Sequence, residues 1–167
     1  MTNQTPCLLQ LNHQDLDFAK RMAQNRYDTA RQRGWRDKAG RPSVEPHING
    51  VLGELSLCRL LDLPYKFTNG TRKKEPDCYQ YDVRARTKDS DSLIIRHDDP
   101  PERPTALILL NREKLTARFG GWAFAGDIQE LGKNHHTYIP SRNGWPSCWM
   151  VPQSELNSDI ERLRQAT

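Results

Sequence analysis

The chain has little from which to build a large apolar interior. Of its 167 residues, 35% are hydrophobic and 8% aromatic, while 28% are charged. Ordinary soluble domains carry about 45–50% apolar residues. Mean hydropathy is −0.86, and no apolar run approaches the roughly 18–20 residues of a membrane span. Met1 to Pro6 offer neither a basic n-region nor an apolar h-region, which argues against a secretory leader. A soluble, cytoplasmic protein is the expectation. Cysteine pairs are missing too. Cys7, Cys58, Cys78 and Cys148 are each isolated, and no C-x-x-C occurs. His135 and His136 are adjacent rather than four apart, so they lack the helical spacing that converges on a metal. These absences argue against a structural zinc site and favour buried free thiols in a reducing compartment. Repeats and low-complexity blocks are absent as well.

The length present suits a single domain with one core of two layers. Formal net charge is +4, and the excess is concentrated. From His13 to Arg41 eight Lys/Arg face four acids, and from Lys66 to Lys88 seven face three. Two basic zones on a mildly basic chain point to a polyanionic partner.

Periodicity places the elements. Asn12 is a candidate N-cap with Asp15 at the third helical position. Leu16, Ala19, Met22, Ala23, Tyr27 and Ala30 recur at helical spacing, so a helix is predicted over 13–33, with Lys20, Arg21, Arg31 and Arg33 on its outer face. A second helix is predicted over 47–61, with Gly50 and Gly53 allowing another backbone to approach. Residues 79–87 and 92–96 read as strands. Thr105 to Leu110 is an almost continuous apolar run, the pattern of a central strand covered on both faces. Residues 115–119 and 121–125 give one or two more strands, 148–151 an edge strand, and 152–165 a last helix. The order predicts an α+β, mixed α/β fold with a central mixed sheet flanked by helices.

Three carboxylates stand out on this frame. Glu54 lies on the second helix in Gly-Val-Leu-Gly-Glu, Asp77 follows Pro76 just before a strand, and Asp82 lies within that strand in Asp82-Val83-Arg84. Asp82 and Arg84 are two apart, so their side chains share a face. Two or three carboxylate oxygens plus the Val83 carbonyl make a hard oxygen site suited to Mg²⁺ or Mn²⁺. Such an ion would activate water and stabilise charge on a phosphodiester, with the neighbouring cation assisting.

The string Pro76-Asp77-x4-Asp82-x-Arg84, with Glu54 upstream, resembles the PD-(D/E)xK nucleases, and over about residues 10–130 the pattern is similar to small phage-encoded members of that class. Residues 131–167 form a C-terminal extension to that core. The resemblance implies a restriction-endonuclease-like core, a Mg²⁺- or Mn²⁺-dependent endonuclease acting on DNA, and Glu54, Asp77, Asp82 and Arg84 as catalytic residues. Glu54, Asp77, Asp82 and Val83 would hold the metal. His47, Arg72, Lys73, Lys74, Arg86 and Lys88 are the candidate DNA contacts, the Arg72–Lys74 run standing at the mouth of the site. Members of the class often work as dimers, which carries the expectation of a homodimer or a protein partner. One residue departs from the pattern: Arg84 stands where the class has lysine. Arginine forks onto a phosphate and neutralises charge, but it stays protonated and is no general base. The alternative is therefore a catalytically inactive nucleic-acid-binding or accessory protein on the same fold. Glu45 is a lesser candidate acid. Asp98 and Asp99 read as turn formers, and Trp122 and Phe124 as core.

Overall fold

The structure is a computed structural model that describes residues 7–33, 43–66, 75–142 and 144–166. In chain order it comprises β1 (Leu8–Gln10), α1 (His13–Gln32), α2 (Glu45–Leu60), β2 (Asp82–Arg86), β3 (Leu93–Arg96), β4 (Pro104–Asn111), β5 (Thr116–Phe124), α3 (Ala125–Glu130), β6 (Tyr138–Ile139), β7 (Cys148–Val151), a 3-10 turn (Gln153–Glu155) and α4 (Ile160–Gln165). This is an α+β fold, with a mixed four-stranded sheet in the order β1-β5-β4-β2 and a separate antiparallel sheet in the order β3-β7-β6. No helix among the described residues is long and apolar enough to cross a membrane.

The first helix begins as its capping residues dictate. The Asp15 amide donates to Asn12 Oδ1 (2.9 Å) and the Asn12 amide to Asp15 Oδ2 (3.0 Å), a capping box that satisfies two terminal donors. Its inner stripe is Asp15, Ala19, Ala23 and Arg26. The alanines let α2 approach closely, and the two charged residues pair across to it. Arg59 Nη1 donates to Asp15 Oδ2 at 2.7 Å, and Arg26 forks onto Glu54 with both bonds at 2.7 Å. Helix α2 is buried nearly all round, from Ile48 and Val51 through Cys58, because α1 covers one side and the sheet the other. Gly53 faces β2 so closely that a Cβ there would lie 2.7 Å from Ala85 Cβ and 3.3 Å from Val83 Cγ1.

Strand β4 is the spine. Ala106, Ile108 and Leu110 point into the core under the helices, beside Val51, Leu52, Leu57 and Tyr81. Leu107 and Leu109 point the other way, into a second core with Leu93, Ile95, Trp149 and Val151. The continuous apolar run is thus a strand sandwiched between helices and a second sheet. Parallel pairing sets Asp82 opposite Thr105, Val83 opposite Ala106 and Arg84 opposite Leu107. Asp82 and Arg84 therefore face the second sheet, while Val83 and Ala85 face α2.

Several boundaries differ from the sequence reading, each for a local reason. Helix α2 starts at Glu45, two residues early, with Pro46 in its first turn. The strand predicted from Tyr79 starts at Asp82, because Tyr79 and Gln80 form a tight turn closed by Cys78 and Tyr81, whose amides and carbonyls bond reciprocally at 3.0 and 2.9 Å. Tyr79 takes a left-handed φ of +54° there. Of the one or two strands expected over 115–125, the structure has one, Thr116–Phe124, with Ala125 opening α3. The register slips between Leu107 and Ile108, and β5 absorbs the extra residue as a bulge at Gly120-Gly121, where Gly121 adopts φ +117°. The last helix is reduced to α4, with Asp159 capping it and Leu163 in the main core. The thiol expectation fails for two cysteines. Cys58 and Cys78 form a disulfide, with Cα atoms 6.9 Å apart, while Cys7 and Cys148 are free. The pairing joins the far half of α2 to the turn before β2. A separation of 20 residues leaves no local signature of it.

Candidate metal and phosphate site

The edge strand β2 and the turn before it bring Asp77, Asp82 and Arg84 into one polar cluster. Asp77 Oδ2 accepts the Val83 amide at 2.9 Å, which fixes the carboxylate at the entrance to the strand. It also lies 3.9 Å from Arg84 Nη1. Arg84 is held on the second-sheet side by three further bonds. Its Nε donates to the Ile94 carbonyl at 3.2 Å, and its Nη2 to Asp99 Oδ1 and Oδ2 at 2.8 and 2.9 Å. Burial works against that guanidinium, but the charges of Asp99, Asp77 and Asp82 outweigh it and hold its pKa above the ordinary value. Asp82 receives Arg103 Nη1, 3.1 Å from Oδ1 and 3.5 Å from Oδ2.

Asp82 is the strained member electrostatically. Burial pushes its carboxyl up, and the neighbouring charge of Asp77 pushes it further. Arg84 and Arg103 pull against this without cancelling it. A carboxylate disfavoured in its charged form, next to a second carboxylate, is an arrangement that welcomes a cation. Beside Asp82 on the same face, the hydroxyl oxygen of Thr105 is buried and has no hydrogen-bond partner among the described residues. Buried polar atoms are seldom left so.

Glu54 belongs to a neighbouring cluster. It reaches from α2, on the other side of β2, and is gripped by Arg26 and by the Tyr65 hydroxyl at 3.1 Å. Burial raises the Glu54 carboxyl and the Arg26 fork draws it back, while the guanidinium itself is held charged. The Tyr65 hydroxyl is pushed up by burial and by Glu54. Asp77 connects the two clusters, since its charge acts on Glu54, Tyr65 and Arg26 on one side and on Asp82 and Arg84 on the other.

The remaining sequence candidates are dispersed. His47 packs edge-on against Tyr27, ring centroids 6.2 Å apart. Arg86 pairs with Asp91 at 3.4 Å, and Lys88 is exposed where Asp91 caps its amide. Glu45 is the partner of Arg112. Trp122 is core. Arg72, Lys73 and Lys74 lie outside the described residues. Asp99 does shape a turn, accepting the Arg96 amide at 2.8 Å, but it is also the main partner of Arg84. Arg26, Tyr65, Arg103 and Thr105 carried no signal in the sequence, because each reaches the cluster through tertiary contact alone. No family model, curated protein or solved structure matches this chain.

The match to a divalent cation is one of donor type: among the described residues no three of Glu54, Asp77, Asp82 and Asp99 bring one carboxylate oxygen each within 4.8 Å of one another. Asp77 and Asp82 supply hard carboxylate oxygens, and the orphaned Thr105 hydroxyl supplies another oxygen on the same face. Asp77, Asp82 and Asp99 against Arg84 and Arg103 sum to one net negative charge. A divalent ion would turn that into a net positive site, the sign that attracts a phosphodiester.

Proposed function

We propose that the protein is a Mg²⁺- or Mn²⁺-dependent nuclease that hydrolyses DNA phosphodiester bonds. The observation that supports this best is the convergence of Asp77, Asp82 and Arg84, two mutually repelling carboxylates and a half-buried cation, at the start of one edge strand. Asp77 and Asp82, with the Val83 carbonyl, would hold the ion. When bound, it supplies Lewis-acid stabilisation and an activated water. The chain's own residues do the rest. Arg84, preorganised by Asp99 and the Ile94 carbonyl, offers charge to the scissile phosphate. Arg103 shares Asp82 and steers its carboxylate. Glu54, clamped by Arg26 and Tyr65, stays in the neighbouring cluster rather than binding the ion directly. The basic zones, Arg72–Lys74 included, would gather the DNA.

One observation favours a second reading. Arg103 lies against both oxygens of Asp82, and Arg84 replaces the lysine that a proton relay would need. A module that binds DNA without cutting it is consistent with that neutralised site. A plasmid-nicking assay in Mg²⁺ and in Mn²⁺, paired with anisotropy on labelled DNA, separates the two. The nuclease reading expects cleavage that EDTA stops and that Asp77→Asn and Asp82→Asn abolish while binding persists. Binding with no cleavage in either metal would leave the module. No binding at low salt would remove DNA from both readings.

A further inference from the structure

The second sheet brings together a group of side chains that the proposed nuclease site does not use. Strands β6 and β7 are antiparallel, with Tyr138 opposite Trp149 and Ile139 opposite Cys148. The segment entering β6 and the segment leaving β7 must therefore lie at the same end of the ladder. The entering segment carries His135 and His136, and the leaving segment is the 3-10 turn that ends at Glu155. One ring nitrogen of each histidine and one Glu155 oxygen all lie within 4.8 Å of one another. Adjacent side chains of an extended segment would point apart. Here the chain turns instead. The His135 amide donates to the Gly132 carbonyl and the Tyr138 amide to the His135 carbonyl, so the two imidazoles stand with centroids 4.2 Å apart and planes tilted by 36°.

The frame under these groups is fixed. The Met150 amide donates to the Thr137 carbonyl at 2.8 Å, and the indole of buried Trp149 donates to the Gly132 carbonyl at 3.2 Å. The Thr137 hydroxyl lies 3.0 Å from His135 Nδ1 and sets the rotation of that ring. On the other side, His136 Nε2 is 3.2 Å from Glu155 Oε1, and the Glu155 amide is bonded to the Pro152 carbonyl. Both carriers are tied to the ladder, so the three donors need little rearrangement to meet on one ion.

We propose that His135, His136 and Glu155 form a Zn²⁺-binding site. Two imidazole nitrogens and one carboxylate oxygen are a borderline donor set, suited to zinc rather than to Mg²⁺ or Mn²⁺. Three protein ligands leave the fourth tetrahedral position to water or to a group from outside. The site is at the surface, where His136 is 71% exposed, so the ion can enter without unfolding. This proposal stands apart from the nuclease reading. It uses different residues, a different sheet and a different class of metal, and either can fail alone.

The test is calorimetric titration of the metal-stripped full chain with Zn²⁺ at neutral pH, repeated with Co²⁺ to read the absorption bands of a tetrahedral site. Cys7 and Cys148 are free thiols that also bind zinc, so the parent for the series carries Cys7→Ser and Cys148→Ser. One equivalent of Zn²⁺ should bind to that parent, and His136→Ala and Glu155→Gln should each weaken it at least tenfold. Both are exposed positions, and circular dichroism confirms that the variants fold. A Mg²⁺ titration should show no heat assignable to these residues. Binding that is indifferent to His136→Ala and Glu155→Gln, or no binding at millimolar Zn²⁺, overturns the proposal and leaves His136 and Glu155 as a surface ion pair only.

Discussion

Arg84 is the residue on which the chemistry turns. Its half-buried guanidinium sits among Asp77, Asp82 and Asp99, hydrogen-bonded through Nε and Nη2 and ion-paired through Nη1, so it is oriented before any substrate arrives. If it stabilises charge on a scissile phosphate, Arg84→Ala should cost about 2–4 kcal/mol in the barrier, the scale of removing one preorganised donor. Arg84→Lys should keep or raise cleavage in Mg²⁺ or Mn²⁺, and single-turnover rates on plasmid DNA would show both. Asp82 allows a stability prediction of opposite sign to the usual one for a salt-bridged acid. Its folded-state pKa is raised above 3.8 by burial and by Asp77. Ionised Asp82 therefore costs stability at neutral pH. That cost lifts as the pH falls through the raised value and is gone below the unfolded one. Asp82→Asn should raise the melting temperature at pH 7, and the gap to wild type should shrink on acidification. A variant less stable than wild type at pH 7 would mean that the Arg103 pairing outweighs burial. At this scale the sequence showed the acids but not what they touch. Asp77, Asp82 and Arg84 sit in a local string, and strand alternation is enough to put two of them on one face. Arg26 and Arg103 are 28 and 21 residues from their partners, and nothing in their neighbourhoods marks them apart from other surface arginines.

Elements were legible where local chemistry decides them. The capping box at Asn12 and Asp15 announces α1, and the run from Thr105 announces a doubly covered strand. Legibility failed where a tertiary contact decides. The bulge at Gly120-Gly121 lets one strand read as one or two, and the left-handed Tyr79 hides a turn inside an alternating pattern. The contact between α2 and β2 yields a direct test. A methyl group at Gly53 would meet Ala85 Cβ at 2.7 Å, and a Cβ moves only with its backbone, so the contact cannot be relieved by a rotamer change. Gly53→Ala should destabilise by about 1–3 kcal/mol, the range for overpacking, as read by urea denaturation. Because β2 carries Asp82 and Arg84, the variant should also lose cleavage out of proportion to its residual folding. The Cys58–Cys78 bond ties α2 to the turn that leads into β2. Closing a loop of 20 residues contributes about 3 kcal/mol by the chain-entropy argument, so Cys58→Ser should lower stability by that order. Alkylation without reductant, read by mass spectrometry, should label Cys7 and Cys148 only.

For the whole molecule, charge and topology matter most. If the basic zones contact phosphates, DNA affinity should fall steeply with salt, and replacing Arg72, Lys73 and Lys74 by Ala should reduce the log–log slope by up to about 2.7, or 0.9 per contact. An unchanged slope would place the contacts elsewhere. The parallel pairing of β2 with β4 has a further consequence, one of timing. Parallel neighbours cannot be joined by a hairpin, so the chain leaves β2 at Arg86, builds β3, and returns at Pro104. That excursion delivers Asp99 and Arg103 to the strand it departed from. The β4–β5 pair is local and closes a short loop, whereas β2 docks only after a long one, and non-local pairing is slow. The cluster around Asp82 should then form late in folding, with rate changes for Val83→Ala and Ala85→Gly appearing mainly in unfolding, and Ile108→Val slowing folding instead. In the native protein the same order runs backwards. The amides of β2 should exchange with solvent ahead of those of β4, so the acidic site opens while the spine beside it stays closed.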